Sequence, residues 1–165
     1  MRVFGLDTSN YTTSAALFDG WEGENHSRLL EVRAGELGLR QSEALFQHIK
    51  RLPEIVSLLL GNSGAEIQAV GASTRPRAVE GSYMPCFLAG ASQGQVLAQV
   101  LGVPFYAFSH QQGHLAAAAW SAGRMDLLDR PFLAWHLSGG TTELLRVEPE
   151  EDGVAVRAEI LGGTS

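Results

Sequence analysis

The 165 residues are 45% hydrophobic and 18% charged, the composition of an ordinary globular chain with enough length to bury one core. A formal charge of −6 argues against a free-standing nucleic-acid binder, which would carry a basic excess. Cys86 is the single cysteine, so no intrachain disulfide forms and a reducing compartment is expected. The opening MRVFGLDTSN lacks the apolar core of a signal peptide, and no apolar run reaches membrane-spanning length, so the expected location is cytoplasmic with no membrane partner.

In chain order, the pattern predicts strands over 2–6 and 13–18 around a polar loop, then a third strand over 29–33. A helix over 40–60 follows, with an apolar stripe of Leu45, Ile49, Leu52, Val56, Leu59 and Leu60, Ser42 as a cap, and Pro53 as a kink or break. Next come a strand over 67–72, a helix over 87–101 stopped by Gly102, and a strand over 104–108 that runs into SHQQGHLAAAAW. This order predicts an α/β layer with a partly antiparallel sheet. The tail reads as three strands, 132–137, 143–147 and 154–160, after which Thr164 or Ser165 could cap a helix. A strand triplet with nothing covering its apolar face points to the front part of a longer protein. The tail also echoes the head: FGL-DTSNYTTS-AALF and AWHL-SGGTT-ELL are both strand, small-residue loop, strand, which suggests a duplicated domain pair.

Four stretches carry candidate chemistry. In Asp7-Thr8-Ser9, followed by Asn10 to Thr13, a carboxylate and hydroxyls end a buried strand; they suit an anion loop or a metal- or water-orienting acid, or else a plain hairpin. Ser138-Gly139-Gly140-Thr141 lets backbone approach a ligand closely, or forms a tight turn. Arg75 and Arg77 could grip a phosphate or carboxylate, or be a solvated loop. Ser109 and Gln112 fit a capping box, which puts His110 at the first helical position and His114 one turn on, on the same face. Helix-end N–H groups favour neutral rings able to coordinate a cation. A metal needs at least a third ligand, and none follows at fixed spacing, so the pair reads as metal-binding or structural.

Together, GLDTS, SEALFQHI, the strand ending Ala72-Ser73-Thr74, FLAGASQGQVLA, VPFYAFSHQQGHLAA and LAWHLSGGTTELL resemble the N-terminal half of the threonylcarbamoyladenosine tRNA synthases, the TsaD/Gcp family once catalogued as M22 peptidases. The resemblance implies an actin-like (ribonuclease-H-like) ATPase fold, with a first domain over 1–130 and the opening strands of a second, similar domain over 131–165. It implies transfer of a threonylcarbamoyl group from an adenylate to N6 of an adenosine in tRNA, with protein partners in that modification. It implies iron or zinc on His110 and His114, with a third ligand, an aspartate, outside this chain. ATP or an acyl-adenylate would lie on Leu137, Ser138, Gly139, Gly140 and Thr141.

The chain departs from the family at several points. Asn10-Tyr11-Thr12-Thr13 stands where members read Cys-Asp-Glu-Thr, Gln112 replaces the glutamate between the histidines, Thr141 replaces a histidine, and Arg75-Pro76-Arg77 with a longer insert replaces Gly-Pro-Gly-Leu. These changes suggest a divergent paralogue. The leading expectation is a metal-dependent acyltransferase whose 165-residue part is inactive alone. The second is a nucleotide-binding scaffold that catalyses nothing, and the third an M22-type metallopeptidase.

Overall fold

The computed structural model describes residues 1–35, 37–61, 66–138 and 140–164, which form two compact units. One comprises Met1–Pro76 and Gly81–His110, the other Arg77–Glu80 and Gln111–Ser165.

The first unit is built on a five-stranded mixed sheet. Strand β1 (Val3–Asp7) pairs antiparallel with β2 (Thr12–Phe18), which pairs antiparallel with β3 (Gly23–Leu29). On its other side β1 lies parallel to β4 (Ala69–Arg75), and β4 lies parallel to β5 (Phe105–Ser109), giving the order β3-β2-β1-β4-β5. Helices α1 (Gln41–Leu60) and α2 (Phe87–Leu101) are the crossovers before β4 and β5. This is the α/β layer with a partly antiparallel sheet that the element order predicted, and it agrees with the actin-like fold that the resemblance implies.

Alternation in β1 sends Phe4 and Leu6 inward, where they join Ala15, Val70 and Ala72 under Leu52, Ile55 and Leu59 of α1 and Ala89 and Ala98 of α2. Each large side chain buried here contributes about 1.5–3 kcal/mol.

Local boundaries differ from the sequence pattern for identifiable reasons. The third strand is the polar stretch GENHSRL, ending where the predicted 29–33 strand would begin. As an exposed edge strand it needs ladder bonds to β2 but no apolar face, so hydrophobic alternation does not reveal it. Helix α1 runs unbroken through Pro53, and its cap position is Arg40, not Ser42. Its buried line is Ala44, His48, Leu52, Ile55 and Leu59. Ile49 is 49% exposed because the polar His48 takes the inward place, with both ring nitrogens bonded.

The second unit is a three-stranded antiparallel meander, β6 (Phe132–Leu137), β7 (Thr142–Pro149) and β8 (Val156–Thr164), with helix α3 (His110–Ser121) and a 3₁₀ turn at Met125–Asp129. It repeats the antiparallel three-strand order that opens the first unit. Leu115 of α3 packs on Leu145, Val147 and Val156. The opposite face leaves Leu133, Trp135 and Leu137 63%, 67% and 71% exposed.

The predicted helix cap at Thr164 is instead part of β8, whose register shifts between its pairings with Leu144 and Leu145; Ser165 lies outside the described residues. Gly163 is required in that strand. A Cβ there would sit 2.6 Å from the Thr142 carbonyl oxygen, and backbone cannot yield to it.

Candidate functional site

Three adjacent parallel strands, β1, β4 and β5, end together and deliver the first unit's chemistry. Open α/β sheets place ligand sites outside the carboxyl ends of such strands. Asp7 closes β1, Ser73 lies near the end of β4, and His110 follows β5 directly.

The Asp7 carboxylate collects donors from all three. Oδ1 accepts the Ser9 backbone N–H at 2.8 Å and the Ser9 hydroxyl. Oδ2 accepts the Ser73 hydroxyl and lies 2.9 Å from His110 Nδ1. Burial works against the Asp7 charge, but the His110 ring and the Ser73 and Ser9 hydroxyls outweigh it and bring the carboxyl from 3.8 to about 2. The Phe87 ring meets His110 edge-on, with centroids 6.3 Å apart.

Behind Asp7 the loop is pinned to the core. Thr8 is fully buried; its hydroxyl donates to the Cys86 carbonyl at 2.9 Å and accepts the Gly90 N–H at 3.0 Å. A Cβ at Gly90 would lie 3.1 Å from that hydroxyl oxygen, so glycine permits the close approach of α2. Thr13 Oγ1 meets His48 Nδ1 at 2.7 Å, and His48 Nε2 lies 3.3 Å from the Asn10 carbonyl. A carbonyl only accepts, so Nε2 carries the His48 proton and Nδ1 accepts from Thr13. Burial pushes the His48 imidazole below its ordinary value. Burial likewise pushes the Cys86 thiol up, which leaves it a poor nucleophile.

The second unit carries a parallel pairing. His136 and Glu143 are cross-strand partners on β6 and β7. The buried Glu143 carboxylate lies 3.3 Å from His136 Nδ1 through Oε2 and accepts Arg77 at 2.7 Å through Oε1. The His136 and His114 ring centroids are 6.2 Å apart. In the loop that joins the two strands, Ser138 and Thr141 close on one another. The Ser138 N–H donates to the Thr141 carbonyl at 2.9 Å, and their hydroxyls meet at 2.9 Å. Gly139 lies outside the described residues, and space around Gly140 is open.

Of the residues singled out in the sequence, Asp7, Ser9 and His110 come together in the first unit. Thr8 faces the core behind them. His110 and His114 share α3, at its first and fifth positions. The arginines part: Arg75 ends β4, exposed, while Arg77 belongs to the second unit and holds Glu143. Gln112 is buried, and its Nε2 donates to the Val156 carbonyl at 2.8 Å. Beside it, the buried Gln111 Nε2 has no hydrogen-bond partner among the described residues. Sequence reasoning left three participants without a role: Ser73, His136 and Glu143. Ser73 sits within the quoted Ala72-Ser73-Thr74, where a hydroxyl at the end of a parallel strand was the available signal. Among the described residues, no group of three or more histidine, cysteine, aspartate or glutamate side chains is gathered to hold a metal ion, and no helix is long and apolar enough to cross a membrane.

Residues 33–160 match the model of the TsaD family, tRNA N6-adenosine threonylcarbamoyltransferase. Two proteins of that name are similar to the chain. The one from Ralstonia pickettii is 34% identical over 90% of this chain, and the one from Rhizobium etli 31% over 88%. The chain spans 42% and 40% of their lengths. Among solved structures, YeaZ from Pseudomonas aeruginosa matches 99% of the chain and 65% of its own with a TM-score of 0.59 at 17% identity. A protein described as similar to peptidase YeaZ matches 96% of the chain and 63% of its own, with a TM-score of 0.58 at 18% identity. These two show the fold. On the match over 33–160, with the fold in agreement, the chain belongs to the TsaD family of tRNA N6-adenosine threonylcarbamoyltransferases.

Proposed function

We propose that this chain contributes part of a threonylcarbamoyl transferase, which passes the acyl group of a threonylcarbamoyl-adenylate to N6 of an adenosine in tRNA. The observation that carries the reading is family membership over 33–160 combined with the Asp7–His110 pairing at the strand ends. His110 and His114, one turn apart on a single helix, would hold iron or zinc, metals that suit imidazole donors. Two imidazoles fit such an ion in part, and a third ligand, an aspartate, would have to come from outside this chain. Bound there, the ion supplies Lewis acidity toward a carbonyl oxygen.

The chain's own groups do the rest. The turn closed by Ser138 and Thr141, with Leu137 and Gly140 beside it and Gly139 outside the described residues, offers hydroxyl and backbone contacts to the adenylate or to ATP. Asp7 and Ser9 hold the first loop in shape, and the exposed Arg75 guanidinium is available to an anionic group. Helix α2 carries no charged residue and exposes Leu88, Val96 and Val100, a surface suited to the protein partners of a threonylcarbamoylation assembly.

The test is metal content and tRNA threonylcarbamoylation by the full-length protein, wild type against the His110→Ala/His114→Ala double variant. Loss of both is expected. Unchanged metal content would overturn the ligand assignment, and transfer by residues 1–165 alone would overturn the expectation that this part is inactive.

A second reading, a nucleotide-binding scaffold without catalysis, is favoured by one observation. Gln112 stands where the family has a glutamate, and its amide is bonded to backbone. Calorimetry with ATP and with zinc separates the two: ATP binding without zinc binding supports the scaffold.

A further inference from the structure

We infer that Asp7, braced by Ser9 and Ser73, is the positioning residue of His110: it fixes the proton on Nδ1 and so presents Nε2 as the ring's lone-pair nitrogen. The inference rests on the reading above that His110 is a metal ligand.

A carboxylate oxygen can only accept, and Oδ2 lies 2.9 Å from Nδ1, so the neutral ring must carry its proton there. The partner is itself immobilised. Oδ1 is taken by the Ser9 N–H at 2.8 Å and by the Ser9 hydroxyl, and Oδ2 also takes the Ser73 hydroxyl. Those donors come from the loop after β1 and from β4, while His110 follows β5. The carboxylate therefore cannot swing away without breaking bonds to neighbouring elements. Phe87 meets the His110 ring edge-on, with centroids 6.3 Å apart.

Such a carboxylate–imidazole pair is the usual outer shell of a metal-binding histidine, and its loss typically weakens metal binding about 10–100-fold. In this arrangement Asp7 acts through His110 and touches no reacting atom. Ser73, 66 residues away in sequence, belongs to the same device.

The test uses the full-length protein labelled with 15N on the histidine rings. Long-range 1H–15N correlations are recorded at about pH 9, on neutral rings, and His110 is assigned by its loss in His110→Gln. The wild type should show His110 protonated on Nδ1. Asp7→Ala should move the population toward the Nε2-protonated form and weaken zinc binding about 10–100-fold. Asp7→Asn must keep its amide oxygen toward the Ser9 backbone N–H, which turns its NH2 donor toward His110 Nδ1, so it too should move the population toward the Nε2-protonated form. A wild-type His110 protonated on Nε2, or a tautomer unmoved by Asp7→Ala, overturns the inference. Should Asp7→Ala fail to fold, the wild-type and Asp7→Asn spectra still decide it. The metal reading fails separately, if His110→Gln leaves zinc affinity unchanged.

Discussion

Both hairpin loops leave an apolar strand, and both neighbour a carboxylate–imidazole pair, yet they are held in opposite ways. In the first unit the paired residues, Asp7 and His110, are 103 positions apart, and the loop between β1 and β2 is tied to α1 and α2 through His48 and Thr8. In the second, His136 and Glu143 are 7 apart and face each other across one hairpin, whose turn is closed among the described residues by Ser138 and Thr141. The first site exists only when the whole sheet is assembled. The second is written largely into a single hairpin, with Arg77 and the His114 ring as distant neighbours. A ligand loop whose shape is imposed from behind is pre-organised, whereas one closed only on itself can adjust.

The difference should appear first in stability. His48→Ala removes a fully buried ring and both bonds that shape the first loop, leaving a cavity and an unpaired Thr13 hydroxyl. A loss of about 3 kcal/mol is expected in urea denaturation. The same residue gives the loop a pH signature. Folding lowers the His48 pKa from 6.5, so between the folded value and 6.5 the unfolded chain binds more protons. Stability should therefore fall as pH drops below 6.5, and be insensitive to this group above it. A phenylalanine at position 48 should flatten that part of the curve, and an identical slope in the variant would remove His48 as its source. Next, Thr8→Val keeps the volume but takes the hydroxyl acceptor from the Gly90 N–H and the shorter of two donors from the Cys86 carbonyl, which still receives the Ala89 N–H at 3.4 Å. About 2 kcal/mol should be lost, with slower decay expected in the second unit's amide-exchange protection than in the first.

How much of this was legible depended on where the information lay. The buried strands and the helices showed in periodicity because Phe4, Leu6, Val70 and Leu145 must alternate inward. The strand GENHSRL did not, since an edge strand asks nothing of its side chains beyond solubility. Motif spacing marked Asp7, His110 and His114 individually. That Asp7 would sit on His110 was not legible, because their meeting depends on β1, β4 and β5 lying in parallel order. Ser73 was hidden for the same reason. His136 and Glu143 could have been paired from the hairpin register alone, had the turn length over 138–141 been used to align the strands. Arg75 and Arg77, read from the sequence as one grip or a solvated loop, fall in different units, and Arg77 holds Glu143 within its own.

The smaller predictions concern the second hairpin. Gly163→Ala drives a Cβ to 2.6 Å from the Thr142 carbonyl and 3.3 Å from the Glu143 Cα, so β8 must shift where it flanks the candidate nucleotide turn. About 1–3 kcal/mol should be lost on thermal denaturation. Ser138→Ala removes only a solvent-exposed hydroxyl, and its bonds to Thr141 can be replaced by water. A cost of about 0.5 kcal/mol or less is expected, within the range of ordinary surface substitutions. Its informative readout is ligand affinity. A turn that merely closes itself should tolerate the change, whereas a turn that lends Ser138 to an adenylate should bind ATP more weakly by several-fold with stability almost untouched. Equal losses in stability and in ATP affinity would show that this turn, like the first loop, works through its architecture, and the contrast between the two hairpins would then disappear.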